Sequence, residues 1–256
     1  MTKKSKNILD YLHFATHAPN LEELWAEHTS FMAGYGFDRL IYGCTMFKTQ
    51  TSLGDPDDFV ILTNHDPAYV HEFMDGGLFL HAPMTTWAAR SEGAASWRKI
   101  REVMADVPAT PDLIRLNDVN QRMGVLQGYT ISFKSVSSRI KALISLCGEA
   151  QMSAEEVDAV WREHGYDLIL VNNVVHLKIL SLPYVPPNRS LTKRQREALQ
   201  WVSDGKTTQD IAMLMGLTAA TVEKHLRLAR DSLSVETTAQ AVMKASLHNQ
   251  MYILET

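Results

Sequence analysis

Thr208-Gln-Asp-Ile-Ala-Met-Leu-Met-Gly216-Leu-Thr218-Ala-Ala-Thr-Val-Glu-Lys-His225 is the stretch that decides how this chain is read. Thr208 precedes an apolar-periodic run from Gln209 to Met215, Gly216 supplies a tight turn, and Thr218 opens a second run from Ala219 to Leu233. The two predicted helices are three residues apart. A pair this close around a glycine is either a helix-turn-helix, whose second helix enters the DNA major groove, or part of a generic helical bundle. Spacing alone leaves both readings open. Flanking signals extend the unit to four helices: Thr192 precedes Lys193 to Ser203, which Gly205 closes, and Thr237 precedes Thr238 to Met251.

Towards the N terminus, Ser181 to Ser190 carries three prolines in ten residues, which forbids helix interior and marks a linker. The expected domains are therefore residues 1–180, a sensory and dimerisation unit, and 191–256, joined by 181–190. In the first, Asn7 to Ala18 and Leu21 to Ala33 have helical spacing, with Gly34 and Gly36 as a stop. Leu40 to Phe47 and Phe59 to Leu62 read as a hairpin with a long polar loop; Pro67 to Met74, Trp97 to Ala105 and Pro111 to Met123 read as helices. Gly128 to Ser135 and Ile140 to Cys147 are β-rich, and Ser153 begins a capping-box-like Ser-Ala-Glu-Glu that leads into a long helix towards Leu180. The pattern predicts an α/β domain, an antiparallel sheet between helix layers, followed by a small all-α domain.

Composition excludes several classes. With 256 residues, 45% hydrophobic and 21% charged, the chain buries a sizeable core and is not a low-complexity polymer. Cys44 and Cys147 are far apart in apolar runs, so neither a disulfide framework nor a cysteine-rich zinc site is expected, and the compartment reads as reducing. No run approaches the ~18 apolar residues of a membrane helix, and Met1 to Lys6 leads into no signal-peptide core, so a cytoplasmic location is expected. The net charge of −4 is uneven: residues 188–256 carry nine Lys and Arg against seven Asp and Glu. From Arg189 to Arg230 the count is eight basic to four acidic, where a polyanion can dock. His13 and His17 share a helical face, but Phe14 follows His13, so no HExxH site exists; serine-nucleophile, Walker A and dinucleotide fingerprints are also missing. No catalytic residue, metal or cofactor is expected. A phosphorelay receiver would need a βα repeat from the start and carboxylates at strand ends, whereas two helices come first here.

Leu191-Thr-Lys-Arg-Gln-Arg-Glu-Ala-Leu199, Gly205-Lys206, Asp210-Ile-Ala212 and Thr221-Val-Glu-Lys-His225 resemble, in order and spacing, the LuxR-type DNA-binding module over about 65 residues. One departure is Gln195, where the family usually has Glu. The resemblance implies a sequence-specific transcriptional regulator binding double-stranded DNA as a dimer over two half-sites. Glu223 and Arg227 are then the base-facing candidates, with Lys224 close by; Arg194, Lys206, Thr207, Thr208, Thr218 and Arg230 are the phosphate candidates. Ala241, Val242, Ala245 and Leu247 on the last helix suit either a dimer contact or core packing.

Residues 1–180 resemble the autoinducer-binding domain of quorum-sensing LuxR-type regulators, an α-β-α sandwich that holds an acyl-homoserine lactone. The resemblance rests on Pro67 through Phe73, Pro83, Trp97 fourteen residues later, and Gly124-Val-Leu-Gln-Gly128-Tyr-Thr-Ile131 with the Ser145 strand. Where the family has a Trp, a Tyr and an Asp-Pro pair around the lactone head, this chain has Tyr69, Phe73 and Ala82-Pro83. The resemblance implies a pocket in which Asp66 or His81 replaces the lost carboxylate, Ser145 meets an acyl carbonyl, and Tyr42, Met84 and Trp97 form an apolar wall beside Tyr69 and Phe73. An acyl-homoserine lactone held differently, another apolar signal, or a ligand-independent regulator whose N-terminal domain serves dimerisation or partner binding all remain open.

Overall fold

The structure is a computed structural model, and it describes residues 8–103, 108, 110–135 and 137–253. It divides into two compact units, one comprising Met1–Gly54 and Val60–Ile179, the other Asp55–Phe59 and Leu180–Thr256. Helix starts in both follow local chemistry.

The first unit opens with α1 (Ile8–His17) and α2 (Leu21–Ala33); the Asn20 side chain caps α2 by accepting from the Glu23 amide at 2.8 Å. A five-stranded antiparallel sheet follows, with β1 (Phe37–Thr45), β2 (Val60–Thr63), β3 (Gly93–Ser96), β4 (Gly128–Ser132) and β5 (Lys141–Gly148) in the order β2-β1-β5-β4-β3. Between the strands lie α3 (Pro67–Val70), α4 (Pro83–Arg90), α5 (Trp97–Val103) and α6 (Pro111–Arg122). The unit closes on α7 (Ala154–Ser181), begun by the expected box: Ser153 Oγ accepts from the Glu156 amide at 3.2 Å while Glu156 Oε2 accepts from the Ser153 amide at 2.8 Å. Of the expected elements, Asn7 and Ala105 lie outside the described residues. The sequence reading missed α4 and β3: Gly93-Ala-Ala-Ser96 has no β-branched or aromatic residue, and it is a strand because it pairs with β4.

Strand alternation sorts the residues between the two faces. Tyr42 points away from Ile41, is fully buried, and its hydroxyl is hydrogen-bonded to His176 Nδ1 of α7 at 2.9 Å. A second buried chain ties α1, α2 and α7 together. Asn172 Oδ1 has no hydrogen, so His28 Nε2 donates to it at 3.1 Å, and His28 Nδ1 accepts from the Tyr11 hydroxyl at 2.7 Å. Burial lowers both His28 and His176 from the usual imidazole value to about 4.

In the second unit, α8 (Lys193–Ser203), α9 (Thr208–Met215), α10 (Ala219–Ser232) and α11 (Thr238–Leu247) pack around Leu199, Ile211, Val222, Leu226, Leu233 and Ala245. The cap of α9 is Thr207 and not Thr208, one residue earlier than the apolar period suggests, because Asp210 completes a capping box with it. Ala241 and Ala245 are wholly buried in this core, so they are packing residues. Asp55–Phe59, which lies between β1 and β2 in sequence, adds a carboxylate: Asp58 Oδ1 accepts from Arg189 Nε at 3.0 Å, and Lys244 Nζ lies 2.6 Å from Asp58 Oδ2. All three side chains are nearly solvent-free.

Candidate functional site

On the face of the sheet opposite Tyr42, Ile41 of β1 and Leu143 and Ser145 of β5 form the floor of a cavity of about 110 Å³. Its walls come from Tyr69 of α3, Phe73 just beyond it, Ala82-Pro83-Met84-Thr85 at the start of α4, Trp97 at the start of α5, and Leu116, Asn117, Asn120 and Val125 around α6. Gly128 lets Trp97 lie against the sheet, since a Cβ there would sit 2.2 Å from the Leu146 carbonyl oxygen and 2.9 Å from the indole.

Of the residues expected at a pocket, Tyr69, Phe73, Met84, Trp97 and Ser145 line this cavity together. Tyr42, Asp66 and His81 are placed elsewhere. Tyr42 is on the other face; Asp66 is the N-cap of α3, accepting from the Ala68 amide at 2.8 Å; His81 is exposed and lies 3.4 Å from Asp112. Neither of the latter two replaces a carboxylate in the cavity. Sequence reading missed His65, Arg101, Asn117 and Asn120, whose inward placement depends on how distant elements pack.

The polar groups are connected. Trp97 Nε1 donates to Thr130 Oγ1 at 2.9 Å, and Thr130 Oγ1 lies 2.9 Å from Ser145 Oγ across the β4–β5 pair. Because Thr130 is fully buried and already accepts from Trp97, its own hydroxyl hydrogen is satisfied by donation to Ser145. Tyr69 donates to Asn120 Oδ1 at 3.1 Å, and the rings of His65, Tyr69 and Phe73 stack in series at 4.7 and 5.3 Å. Burial, helped by the Arg39 charge, lowers His65 to about 4, so this ring is neutral at pH 7. Arg101 borders the cavity while donating to the Leu126 carbonyl at 2.9 Å and to Gln127 Oε1 at 3.1 Å.

The second unit carries a different site. Gly216, at φ 65°, turns the chain between α9 and α10, a left-handed conformation that costs a residue with a Cβ far more. Thr218 caps α10, which buries Val222, Leu226 and Ala229 and leaves Glu223, Lys224 and Arg227 exposed on its other side. Glu223 accepts from the Thr208 hydroxyl at 2.9 Å and Arg227 donates to Asp231 at 3.1 Å. Arg194 is paired with Glu197 at 2.8 Å, Arg230 donates to Thr238 at 2.9 Å, and Lys206 is exposed beside the Thr207 cap. Gln195, the departure from the family's Glu, completes the capping box of α8: its Oε1 accepts from the Thr192 amide at 2.8 Å.

Comparison with known proteins finds a family match over each part of the chain. Residues 20–179 match the autoinducer binding domain family and residues 189–245 match the bacterial regulatory proteins of the luxR family. The chain belongs to the LuxR-type regulators. Similar LuxR-family proteins include the transcriptional activator protein LuxR of Aliivibrio fischeri, 23% identical over 210 residues that cover 81% of this chain and 78% of that protein. The transcriptional activator protein ExpR of Dickeya dadantii is 24% identical over 181 residues, 67% of this chain and 70% of its own. Among solved structures, the N-acylhomoserine lactone dependent LuxR-family factor CepR2 from Burkholderia cenocepacia superimposes with a TM-score of 0.50 at 16% identity, covering 68% of this chain and 96% of that one. That likeness shows the fold. This LuxR-family protein is thus a transcriptional regulator with an autoinducer-binding domain and a DNA-binding helix-turn-helix. Among the described residues, no three His, Cys, Asp or Glu side chains gather as a metal site, and no helix is long and apolar enough to cross a membrane.

Proposed function

We propose that this regulator is a cytoplasmic homodimer that holds a small apolar signal in the cavity between Ile41, Tyr69, Trp97 and Ser145 and reads two operator half-sites with α10. The signal is an acyl-homoserine lactone or another apolar compound, and its binding shifts the population towards the dimer whose recognition helices match the half-site spacing. The observation carrying the DNA assignment is the exposed row Glu223, Lys224 and Arg227, set opposite a buried row on the same helix. Glu223 accepts from cytosine N4 and Arg227 pairs with guanine once released from Thr208 and Asp231. Arg194, Lys206, Thr207, Thr208, Thr218 and Arg230 contact phosphates and fix the register, which makes binding salt-dependent.

Arg227→Ala tests the reading: specific binding, followed by fluorescence anisotropy, falls by about 1–3 kcal/mol, with little change on random duplex. Equal loss on both duplexes would make Arg227 a phosphate contact only.

Dimerisation is supported by α7. Tyr166, Leu170 and Leu177 are 84%, 44% and 65% exposed, and with Asn173 they recur at the four-three-four spacing of a helix–helix seam, a row that two copies can share. Leu170→Glu is expected to dissociate the dimer in sedimentation equilibrium; an unchanged mass would move the interface elsewhere. The ligand-independent alternative draws support from the cavity's polar groups, which already bond to one another. A melting temperature unmoved by any apolar signal would favour it.

A further inference from the structure

The second unit takes part of its surface from a segment that lies between two strands of the sheet in sequence. After β1 ends at Thr45 the chain reaches Asp55-Pro-Asp-Asp-Phe59, contributes those five residues to the second unit, and returns to form β2 from Val60. The segment is a preformed piece: Asp55 caps the single 3-10 turn Pro56–Asp58 by accepting from the Asp57 amide at 3.0 Å, and Phe59 is buried behind it. It meets two cations with three carboxylates. Arg189 takes Asp55 at 2.8 Å, Asp57 at 3.5 Å and Asp58 at 3.0 Å, and Lys244 takes the other oxygen of Asp58 at 2.6 Å. Neutralising two cations needs two carboxylates; the third leaves the cluster net negative, with Asp55 and Asp57 half-exposed at its surface.

The segment reverses the sign of the DNA-binding unit. Residues 180–256 carry nine Lys and Arg against seven Asp and Glu, and the three aspartates of the loop bring the acidic count to ten. The unit therefore goes from +2 to −1. A duplex with one negative charge per ~1.7 Å of axis is then repelled where it would be attracted. The loop also closes on the end of α10: Arg189 donates to Ser234, and Lys244 donates to the carbonyl of Leu233, the residue that follows the helix. A loop that leaves as a whole strands neither cation, because phosphate oxygens or water take the places of its carboxylates.

We propose that Asp55–Phe59 is a detachable acidic strap that competes with the DNA backbone for Arg189 and Lys244. With the strap in place the unit binds DNA weakly; with it out, Arg189 and Lys244 become two further phosphate contacts. The competition is reciprocal: if the strap weakens DNA binding, DNA must loosen the strap by the same factor. It concerns phosphates alone and is independent of which bases α10 reads.

The test uses the full chain and a random-sequence duplex of about two helical turns, with binding followed by fluorescence anisotropy at low salt. Carboxylates are labelled with a water-soluble carbodiimide and glycine ethyl ester, and the modified peptides are quantified by mass spectrometry. Asp58, buried in the free protein, is expected to label slowly, and the exposed Asp10 of α1 serves as the internal standard. Saturating duplex is expected to speed labelling of Asp58 by roughly fivefold or more, the lower end of usual couplings between sites. Asp55→Asn with Asp57→Asn keeps Asp58 and removes the two half-exposed charges. Its affinity for the same duplex is expected to rise roughly fourfold at low salt, the Coulomb effect of two unit charges about 10 Å from a phosphate in water, and the gain is expected to fade as salt is added. Asp58 labelling that the duplex leaves unchanged or slows overturns the strap, since a merely structural clip behaves in that way. An affinity of the double variant equal to that of the parent at low salt overturns it too. A duplex that binds neither protein at low salt removes the DNA-binding assignment itself, and the strap with it.

Discussion

Asp58→Asn removes one charge from a buried cluster in the second unit and leaves nearly every atom in place. Asp58, Arg189 and Lys244 are 4%, 7% and 5% exposed, so water does little to compensate the cations. Arg189 retains Asp55 at 2.8 Å and Asp57 at 3.5 Å, and it still donates to Ser234 at 2.7 Å. Lys244 still donates to the Leu233 carbonyl at 2.7 Å, but its ammonium then faces a neutral amide where a carboxylate stood 2.6 Å away. Breaking one side of a buried pair costs ~3–5 kcal/mol, and the surviving partners of Arg189 place the loss near ~3 kcal/mol. Hydrogen exchange followed by mass spectrometry resolves this by segment. The protected amides of α10 and α11 are expected to exchange about a hundredfold faster, while Asp10→Asn, at an exposed position of α1, changes nothing there. Replacing both partners, Asp58→Asn with Lys244→Met, is expected to recover most of the protection. Exchange in α10 and α11 that stays within threefold of the parent would refute the claim that these charges stabilise one another out of water.

Two further outcomes follow from buried groups. His28 and His176 have folded-state values near 4 against an unfolded value near 6.5, so below pH 6.5 the unfolded chain takes up protons that the folded one refuses. Stability is complete above about pH 6.5 and falls as the pH drops towards 4, by about 2 kcal/mol per histidine at pH 5; a flat melting temperature from pH 7 to pH 5 would contradict it. Gly128→Ala drives a methyl into the Leu146 carbonyl and the Trp97 ring. An overpacking cost of about 1–3 kcal/mol is expected, read as a lower melting temperature together with loss of ligand-induced stabilisation.

Much of this protein was legible in the sequence because much of it is set locally. Caps at Thr192 and Thr218, the box at Ser153, the glycine at 216 and the apolar periods each act within a few residues, and the structure contains the helices they predict. The helix-turn-helix and the exposed row of α10 belong to this class, since a period of 3.6 sorts a helix into faces without reference to anything distant.

Tertiary structure alone decided the rest. Alternation says that Ile41 and Tyr42 face opposite ways but not which of them meets a cavity; α7 covers one face and, through His176, claims Tyr42. Asp66 and His81 have the chemistry of a pocket partner, yet one caps a helix and the other stays in solvent. The β3 strand exists through its neighbour, and Asp58 finds Lys244 across 186 residues of chain. The sequence determined where helices start and which of their faces are apolar, because those energies are short-ranged. The cavity and the buried ion cluster belong to the fold, because desolvation depends on what packs around a group and not on its neighbours in sequence.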